Sequence, residues 1–393
     1  MAATITDHKR NQLTSSYFLA FVTLGMASAS IGPALPYLAE NTGSLLSRIS
    51  ILFISNRIGS ILGSFVGGHL YDSKPGTIVM AVMLLLIALG LVFIPLASSL
   101  YLLLAVILVV GFARGAVDVG GNVLMVWTHQ QKHSQHRLPS LMNALHLSYG
   151  VGAFLVPLII ALAVQKTGSI TWGFWLLTLL VLPNCLWLFR LPSPESRPSV
   201  AQNSTINGGY LFPALITAFL FLCIAAEAAF GGWIYTYSLT RGLANRISAA
   251  YLTSAYWGGL TVGRLVFTLL AVKLKPRIIL LLSLGGSLLS ISSLLIWSDS
   301  AAATWAGSIS FGFFLASIFP STITLASRTI KLTGKVTGVF LVGASSGAML
   351  LPWLIGQLFE PIGSWVTMVL ILASIVLAFF IMAAIIHVQR HST

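Results

Sequence analysis

Apolar runs of about 20 residues recur from one end of the chain to the other. As a helix, each is long enough to cross the roughly 30 Å hydrocarbon layer of a bilayer. Twelve such runs can be drawn, at 15–38, 46–69, 77–97, 100–127, 140–164, 171–190, 211–238, 248–271, 278–297, 302–327, 336–358 and 363–387. Inside lipid every backbone N–H and C=O must be paired within the protein, so runs of this length dictate helices. The expected fold class is therefore an all-α membrane protein with twelve spanning helices. Of 393 residues, 57% are hydrophobic and only 7% charged, against roughly 25% charged in soluble domains. The connections are short and leave no room for a soluble domain. Cys185 and Cys223 both fall inside apolar runs, so no disulfide framework is expected.

Several competing readings fail. Lys9-Arg10 before the first run, with Ala27-Ser28-Ala29 inside it, resembles a signal peptide, but the run is longer than a signal-peptide apolar region. The net charge of +13 does not point to nucleic acid, because the cations obey the positive-inside rule. With the N-terminus inside, cytoplasmic segments hold Lys9, Arg10, Lys74, Lys132, Arg137, Arg190, Arg197, Lys273, Lys275, Arg277, Arg328, Lys331, Lys335 and Arg390. The opposite side holds only Arg48, Lys166, Arg241 and Arg246. Both termini are therefore expected in the cytoplasm, with the chain in the plasma (inner) membrane. The glycosylation sequon Asn203-Ser204-Thr205 then falls on the cytoplasmic side and is read as chance.

The two halves of the chain repeat in parallel. Arg48-Ile49-Ser50 recurs as Arg246-Ile247-Ser248, Lys74-Pro75 as Lys275-Pro276, and Gly111-Phe112 as Gly312-Phe313. Gly152-Ala153-x-Leu155-x-Pro157 recurs as Gly347-Ala348-x-Leu350-x-Pro352. Each match is weak alone; their shared offset, between 195 and 201 residues, is not. The expected organisation is a six-helix half at 1–190, a Pro-, Ser- and Asn-rich cytoplasmic linker at 191–209, and a second six-helix half at 210–393. Gly59, Gly63 and Gly67 in the second run, and Gly343 and Gly347 in the eleventh, are spaced for close helix approach in lipid. Such stripes serve either contacts across the two halves or tight packing within one.

A charge at the bilayer centre costs about 2.5–3.5 kcal/mol on insertion scales, so it is rarely idle. Five charged residues lie well inside the runs: Arg57, Arg114, Asp118, Glu227 and Arg264. Arg114 and Asp118 are one turn apart and can form an ion pair, with Asn122 continuing the stripe. Glu227 precedes Gly231-Gly232, where a helix is easily bent, and no basic residue shares its run. Asp118, Glu227 and Arg114 are thus the expected ion-coupling residues, Glu227 being the favoured protonatable site; the alternative is a structural tie between helices. His146 and Asn143 either bind substrate or are simply hydrogen-bonded. Trp233, Tyr235, Tyr237, Tyr256 and Trp257 are either interfacial anchors or, for Tyr235 and Trp257, ligand platforms in an apolar pocket. No phosphate-cradling Gly-x4-Gly-Lys-Ser/Thr loop, metal-ligand spacing or hydrolytic constellation is present. No enzyme and no cofactor beyond a coupling ion is expected.

Gly68-x-Leu70-x-Asp72-Ser73-Lys74-Pro75-Gly76 resembles the cytoplasmic signature of the major facilitator superfamily, with one extra residue and without its trailing basic pair. Asp118-Val119-Gly120-Gly121-Asn122, Met142-Asn143-Ala144-Leu145-His146 and Gly150-Val151-Gly152-Ala153-Phe154 are similar to the fucose–proton symporter group, especially its sodium-dependent glucose transporter-like branch. Gly231-Gly232-Trp233-Ile234-Tyr235, Gly263-Arg264-Leu265 and Phe314-Leu315-Ala316-Ser317-Ile318-Phe319-Pro320 extend the likeness into the second half. The resemblance implies a monomeric carrier of a neutral hexose, working by alternating access with a proton or sodium as coupling ion. Asp118 would stand at the symporters' fourth-helix coupling carboxylate. Their first-helix aspartate has no counterpart in Ser28-Ala29-Ser30-Ile31-Gly32-Pro33. Substrate would meet Asp118, Asn122, Asn143 and His146 of the first half and Glu227, Trp257 and Tyr235 of the second, near the midplane. Asp72, Lys74, Arg57 and Arg264 would form the cytoplasmic gate. A multidrug–proton antiporter and a lipid or amphiphile transporter are the competing readings. The Gly150-Val151-Gly152 order, with Pro157 five residues on, lacks the Gly-Pro pair of the former, and nothing marks a headgroup site for the latter.

The orientation has a direct test. On a cysteine-free background, single cysteines at Asn203 or Ser134 should react with an impermeant maleimide only from the cytoplasmic side. Those at Asn41 or Asp299 should react only from the other, and reversed labelling at any of the four would refute this topology.

Overall fold

A computed structural model of the protein describes residues 6–129, 138–195, 210–330 and 333–392. The sequon at Asn203-Ser204-Thr205, most of the expected linker, Ser134, and the loop cations Lys132, Arg137, Arg197 and Lys331 lie outside the described residues. The first apolar run becomes α1 (Asp7–Ala29) and α2 (Ile31–Thr42), bent by 46° at their junction. Pro33 has no N–H to return to the Ala29 carbonyl, which breaks the helix there. The Ser28 and Ser30 hydroxyls donate back to Leu24 O (2.7 Å) and Ala27 O (3.1 Å), bonds that bend helices further. The following runs become α3 (Leu46–Ile49), α4 (Ile51–Ser73), α5 (Gly76–Phe93) with a 3-10 turn at Ile94–Leu96, α6 (Leu100–His129), α7 (Leu138–Thr167) and α8 (Thr171–Leu188).

Beyond the linker the order is α9 (Leu211–Thr240), α10 (Arg246–Leu270), α11 (Pro276–Ile296), α12 (Ala301–Leu315), α13 (Ile318–Ser327), α14 (Gly334–Ile362) and α15 (Val366–Ser392). Among the described residues, ten helical stretches are long and apolar enough to cross a membrane, and the bent α1–α2 pair makes an eleventh. The remaining expected run is α10, a 25-residue helix. At 1.5 Å per residue it is about 37 Å long, and its several Ser, Thr and Gly residues lower its apolar character. Its start is a capping box: Asn245 Oδ1 accepts from Ser248 N at 2.9 Å, and Asn245 N donates to Ser248 Oγ at 2.9 Å.

The helices gather into two compact units, Met1–Leu45 with Ile54–Ser199 and Leu46–Phe53 with Val200–Thr393. Residues 46–53, which the sequence reading places in the first half, pack with the second unit. Glu360 on α14 accepts from Leu46 N (3.0 Å) and Ser47 Oγ (3.1 Å), and Gln357 Nε2 donates to Ser47 O at 2.6 Å.

Within each unit, helices meet backbone to backbone at glycine. A Cβ on Gly63 of α4 would stand 1.8 Å from Phe112 O of α6, and one on Gly263 of α10 would stand 2.3 Å from Phe313 O of α12. The longest sequence repeat behaves the same way. Gly152 of α7 lies against Val22 O of α1, and Gly347 of α14 against Phe221 O of α9, with 1.9 and 2.0 Å left for a Cβ. Of the two destinations open to the glycine stripes, contact within a unit is the one found: Gly59, Gly63 and Gly67 all abut α6, and Gly343 and Gly347 abut α9. Lipid tails are as apolar as leucine, so helices in a bilayer associate by such close packing rather than by hydrophobic transfer.

Gly63→Ala should therefore lower the thermal midpoint of the detergent-solubilised protein, overpacking typically costing about 1–3 kcal/mol. Gly285→Ala meets nothing within 4 Å and should leave the midpoint unchanged or raise it, alanine being the better helix former by about 1 kcal/mol. Equal midpoints for the two variants would contradict the close α4–α6 crossing.

Candidate functional site

In the first unit the polar stripe stands on α6, a 30-residue helix whose glycines bring its neighbours close. Gly111 and Gly115 abut the carbonyls of Asn56 and Ser60 on α4, Gly120 abuts the Tyr71 hydroxyl, and Gly121 abuts the Phe21 ring of α1. Arg114 is buried, 6% exposed, and its Nη1 donates to Asn56 Oδ1. The guanidinium hydrogen bond expected for Asp118 thus goes to Asn56 instead. The cause is the crossing at Gly111, which leaves a Cβ only 2.2 Å from Asn56 O and so presents Asn56, itself buried, directly to α6. Arg114 Nε and Asn56 Nδ2 have no hydrogen-bond partner among the described residues.

Asp118 is exposed, and its oxygens accept from Asn122 on its own helix: Nδ2 donates to Asp118 O at 2.8 Å and to Oδ1 at 3.3 Å. The amide N–H of Asn122 is thereby turned toward the carboxylate. Asn143 and His146, one turn apart on α7, are both exposed. The His146 ring meets Phe21 edge-on at 5.6 Å, and Phe21 in turn lies against Gly121, beside Asn122. One aromatic ring thus separates the imidazole from the α6 stripe.

In the second unit Glu227 is half-buried in the middle of α9. Its backbone carbonyl accepts from the Tyr256 hydroxyl of α10 at 3.0 Å. One turn on, Gly231 leaves room for Trp257, whose Cζ2 would lie 2.9 Å from a Cβ there. The five aromatics of α9 and α10 are core residues, not interfacial anchors: Trp233, Tyr235, Tyr237, Tyr256 and Trp257 are all buried. Trp233 Nε1 donates to Pro352 O at 2.9 Å, and its ring stacks on Phe359 at 5.0 Å. An interfacial ring needs one wet edge; Trp233 instead packs on Phe53 and Phe359, and Tyr256 and Trp257 pack on each other and on α9.

The expected gate residues are scattered by comparison. Asp72 and Lys74 are exposed at the end of α4 and its following turn, while Arg57 and Arg264 are half-buried on α4 and α10. Among the described residues no group of three or more His, Cys, Asp and Glu could hold a metal ion. Asn56 and Phe21 are not marked by the sequence as site residues, and Tyr256 stands out only as one of five clustered aromatics. Asn56 stood beside Arg57 as a polar residue in an apolar run, the only signal available; Phe21 looks like an ordinary apolar-run aromatic.

The sequence model of the Major Facilitator Superfamily matches residues 17–352. Sodium-dependent glucose transporter 1A of Mus musculus is 28% identical over 379 residues, spanning 87% of this chain and 88% of the relative. Sodium-dependent glucose transporter 1 of Homo sapiens is 26% identical over 377 residues, spanning 86% and 72%. Human major facilitator superfamily domain-containing protein 4A is 25% identical over 483 residues, spanning 96% and 93%. Among solved structures, the nucleoside transporter NupG superposes with a TM-score of 0.76 over 96% of this chain and 99% of that one, at 14% identity; at that identity the likeness is one of fold.

The Arg114–Asn56 bond has its own test. Hydrogen bonds to charged groups contribute about 1.5–3 kcal/mol, so Asn56→Leu should lower the thermal midpoint clearly. Adding Arg114→Met should recover part of that loss, because the uncompensated buried charge is then gone. A stable Asn56→Leu variant, or additive losses in the double variant, would show that the bond contributes nothing.

Proposed function

The chain belongs to the major facilitator superfamily, and from that membership we propose that it is a secondary transporter that takes up a neutral sugar, a hexose, together with a proton or sodium ion by alternating access. The observation that carries the reading is the pair of carboxylates, Asp118 on α6 and Glu227 on α9, inside helices that are otherwise strongly apolar. A charge there is costly, and a cation bound at the carboxylate relieves the cost while making transport depend on that cation. Relatives that bear the name sodium-dependent glucose transporter align with most of the chain, which supports a sugar as cargo.

A sugar offers hydroxyls at its rim and C–H groups on its faces, so its site needs a few directed polar groups and an aromatic wall. Asn122, Asn143 and His146 are the polar set in the first unit, the amides supplying both donors and acceptors. Trp257 and Tyr235 are the aromatic candidates in the second. Glu227, with no basic residue on its own helix, carries the coupling ion. Asp118, with Arg114 one turn away, responds to it. Asp72, Lys74, Arg57 and Arg264 serve the cytoplasmic gate. The protein works as a monomer in the plasma membrane with both termini in the cytoplasm.

The test uses purified protein in liposomes, with labelled D-glucose and imposed sodium or proton gradients. Glu227→Gln and Asp118→Asn should each reduce gradient-driven accumulation at least tenfold, while one of them retains counterflow exchange. Normal accumulation in both variants would make the carboxylates structural. A wild-type protein stabilised by lysolipids or hydrophobic cations and by no hexose would remove the sugar from the reading.

A further inference from the structure

Tyr256 is fully buried, and two neighbouring helices, α9 and α12, close on its ring. Its hydroxyl donates to Glu227 O of α9 at 3.0 Å. Its Cε1 would be 3.2 Å from a Cβ on Gly231 of α9, and its Cδ2 would be 3.1 Å from one on Gly312 of α12. Phe230 packs on the ring at 4.9 Å and Trp257 meets it edge-on at 5.2 Å. Glycine on two neighbouring helices is what leaves space for the ring, so the socket is specific to its size.

The hydroxyl reaches one end of a single turn of α9, and the Trp257 ring reaches the other. At the first end is the carbonyl of Glu227, which has a second lone pair available beyond its helical bond. At the other end is Gly231, followed by Gly232, and two glycines in sequence make this the most easily distorted turn of the helix. Tyr256 and Trp257 are adjacent on α10, so a shift of the Trp257 ring moves the tyrosine and pulls on the Glu227 carbonyl. A change at Glu227 travels back by the same route.

We propose that Tyr256 is a positioning residue that couples ion binding at Glu227 to sugar binding at Trp257. The inference rests on the proposed function, in which those two residues take the ion and the sugar. Coupling between two ligands is a ratio: the factor by which one raises affinity for the other, equal in both directions. Tyr256→Phe keeps the ring in its socket and removes only the hydroxyl, so both ligands still bind while that factor shrinks.

The experiment measures equilibrium binding of labelled D-glucose to detergent-solubilised protein, with and without sodium, then across proton concentrations at fixed sodium. In Tyr256→Phe the factor by which the cation raises glucose affinity should fall about fivefold, or ~1 kcal/mol. Gly231→Ala, which pushes the ring pair from the other side, should lower the factor too and replaces Tyr256→Phe should that variant fail to fold. Glucose affinity that weakens equally with and without the cation would mark Tyr256 as merely structural and overturn the inference. If Glu227→Gln abolishes the cation effect while Tyr256→Phe keeps it, the inference alone falls. If wild type shows no cation effect, or Glu227→Gln retains it in full, the proposed function falls and takes the inference with it.

Discussion

Backbone contact at glycine is the constraint on which the rest of the structure depends. Two helices in lipid gain nothing by hiding leucine from leucine, so they associate where small residues let their surfaces interlock. The crossings of α4 with α6 and of α1 with α7 in the first unit, and of α10 with α12 and of α9 with α14 in the second, each place a glycine Cα against a carbonyl of its neighbour. These crossings also decide which polar side chains meet. Gly111 brings Asn56 to Arg114, Gly121 brings Phe21 beside Asn122, and Gly231 admits Trp257 beside the turn that carries Glu227. A side chain at Gly111 would meet the Asn56 backbone and separate the helices, whereas one at Gly121 or Gly231 would displace the Phe21 or Trp257 ring.

The Asn56–Arg114 bond divides labour between neighbouring charges. A guanidinium in an apolar helix needs an acceptor, and the carboxylate one turn away on α6 is the obvious one. A neutral amide on α4 takes that role instead, so Asp118 is not consumed by a closed ion pair and keeps an exposed carboxylate, held by Asn122. The neutral amide satisfies the arginine and leaves the Asp118 carboxylate to Asn122.

The sequence shows most of the architecture because a membrane allows so little choice. Run length gave helices whose ends match the observed ones closely, as at 100–127 against Leu100–His129 and 211–238 against Leu211–Thr240. Partners were harder. A Gly-x3-Gly-x3-Gly stripe states that one face is smooth, not which helix lies on it, so the α4 stripe could not be assigned to α6 before the structure. Spacing along one helix likewise proposed Arg114 with Asp118, since an i,i+4 pair is visible in sequence and a partner 58 residues away is not. The aromatics of α9 and α10 misled for a related reason. Tryptophan and tyrosine near the end of an apolar run are common anchors, and only the packing shows these to be enclosed.

No carboxylate stands at the bend between α1 and α2. The fucose symporter group, which this chain resembles, places an aspartate in its first helix. Here the corresponding stretch is Ser28-Ala29-Ser30-Ile31-Gly32-Pro33, and the helix breaks at Ser30. Both serine hydroxyls are spent on carbonyls of their own helix, Leu24 O and Ala27 O. A hydroxyl bonded back in this way satisfies a local carbonyl and holds no cation charge. The acids well inside the apolar runs are Asp118 and Glu227. Of these, only Glu227 sits on a helix without a basic residue.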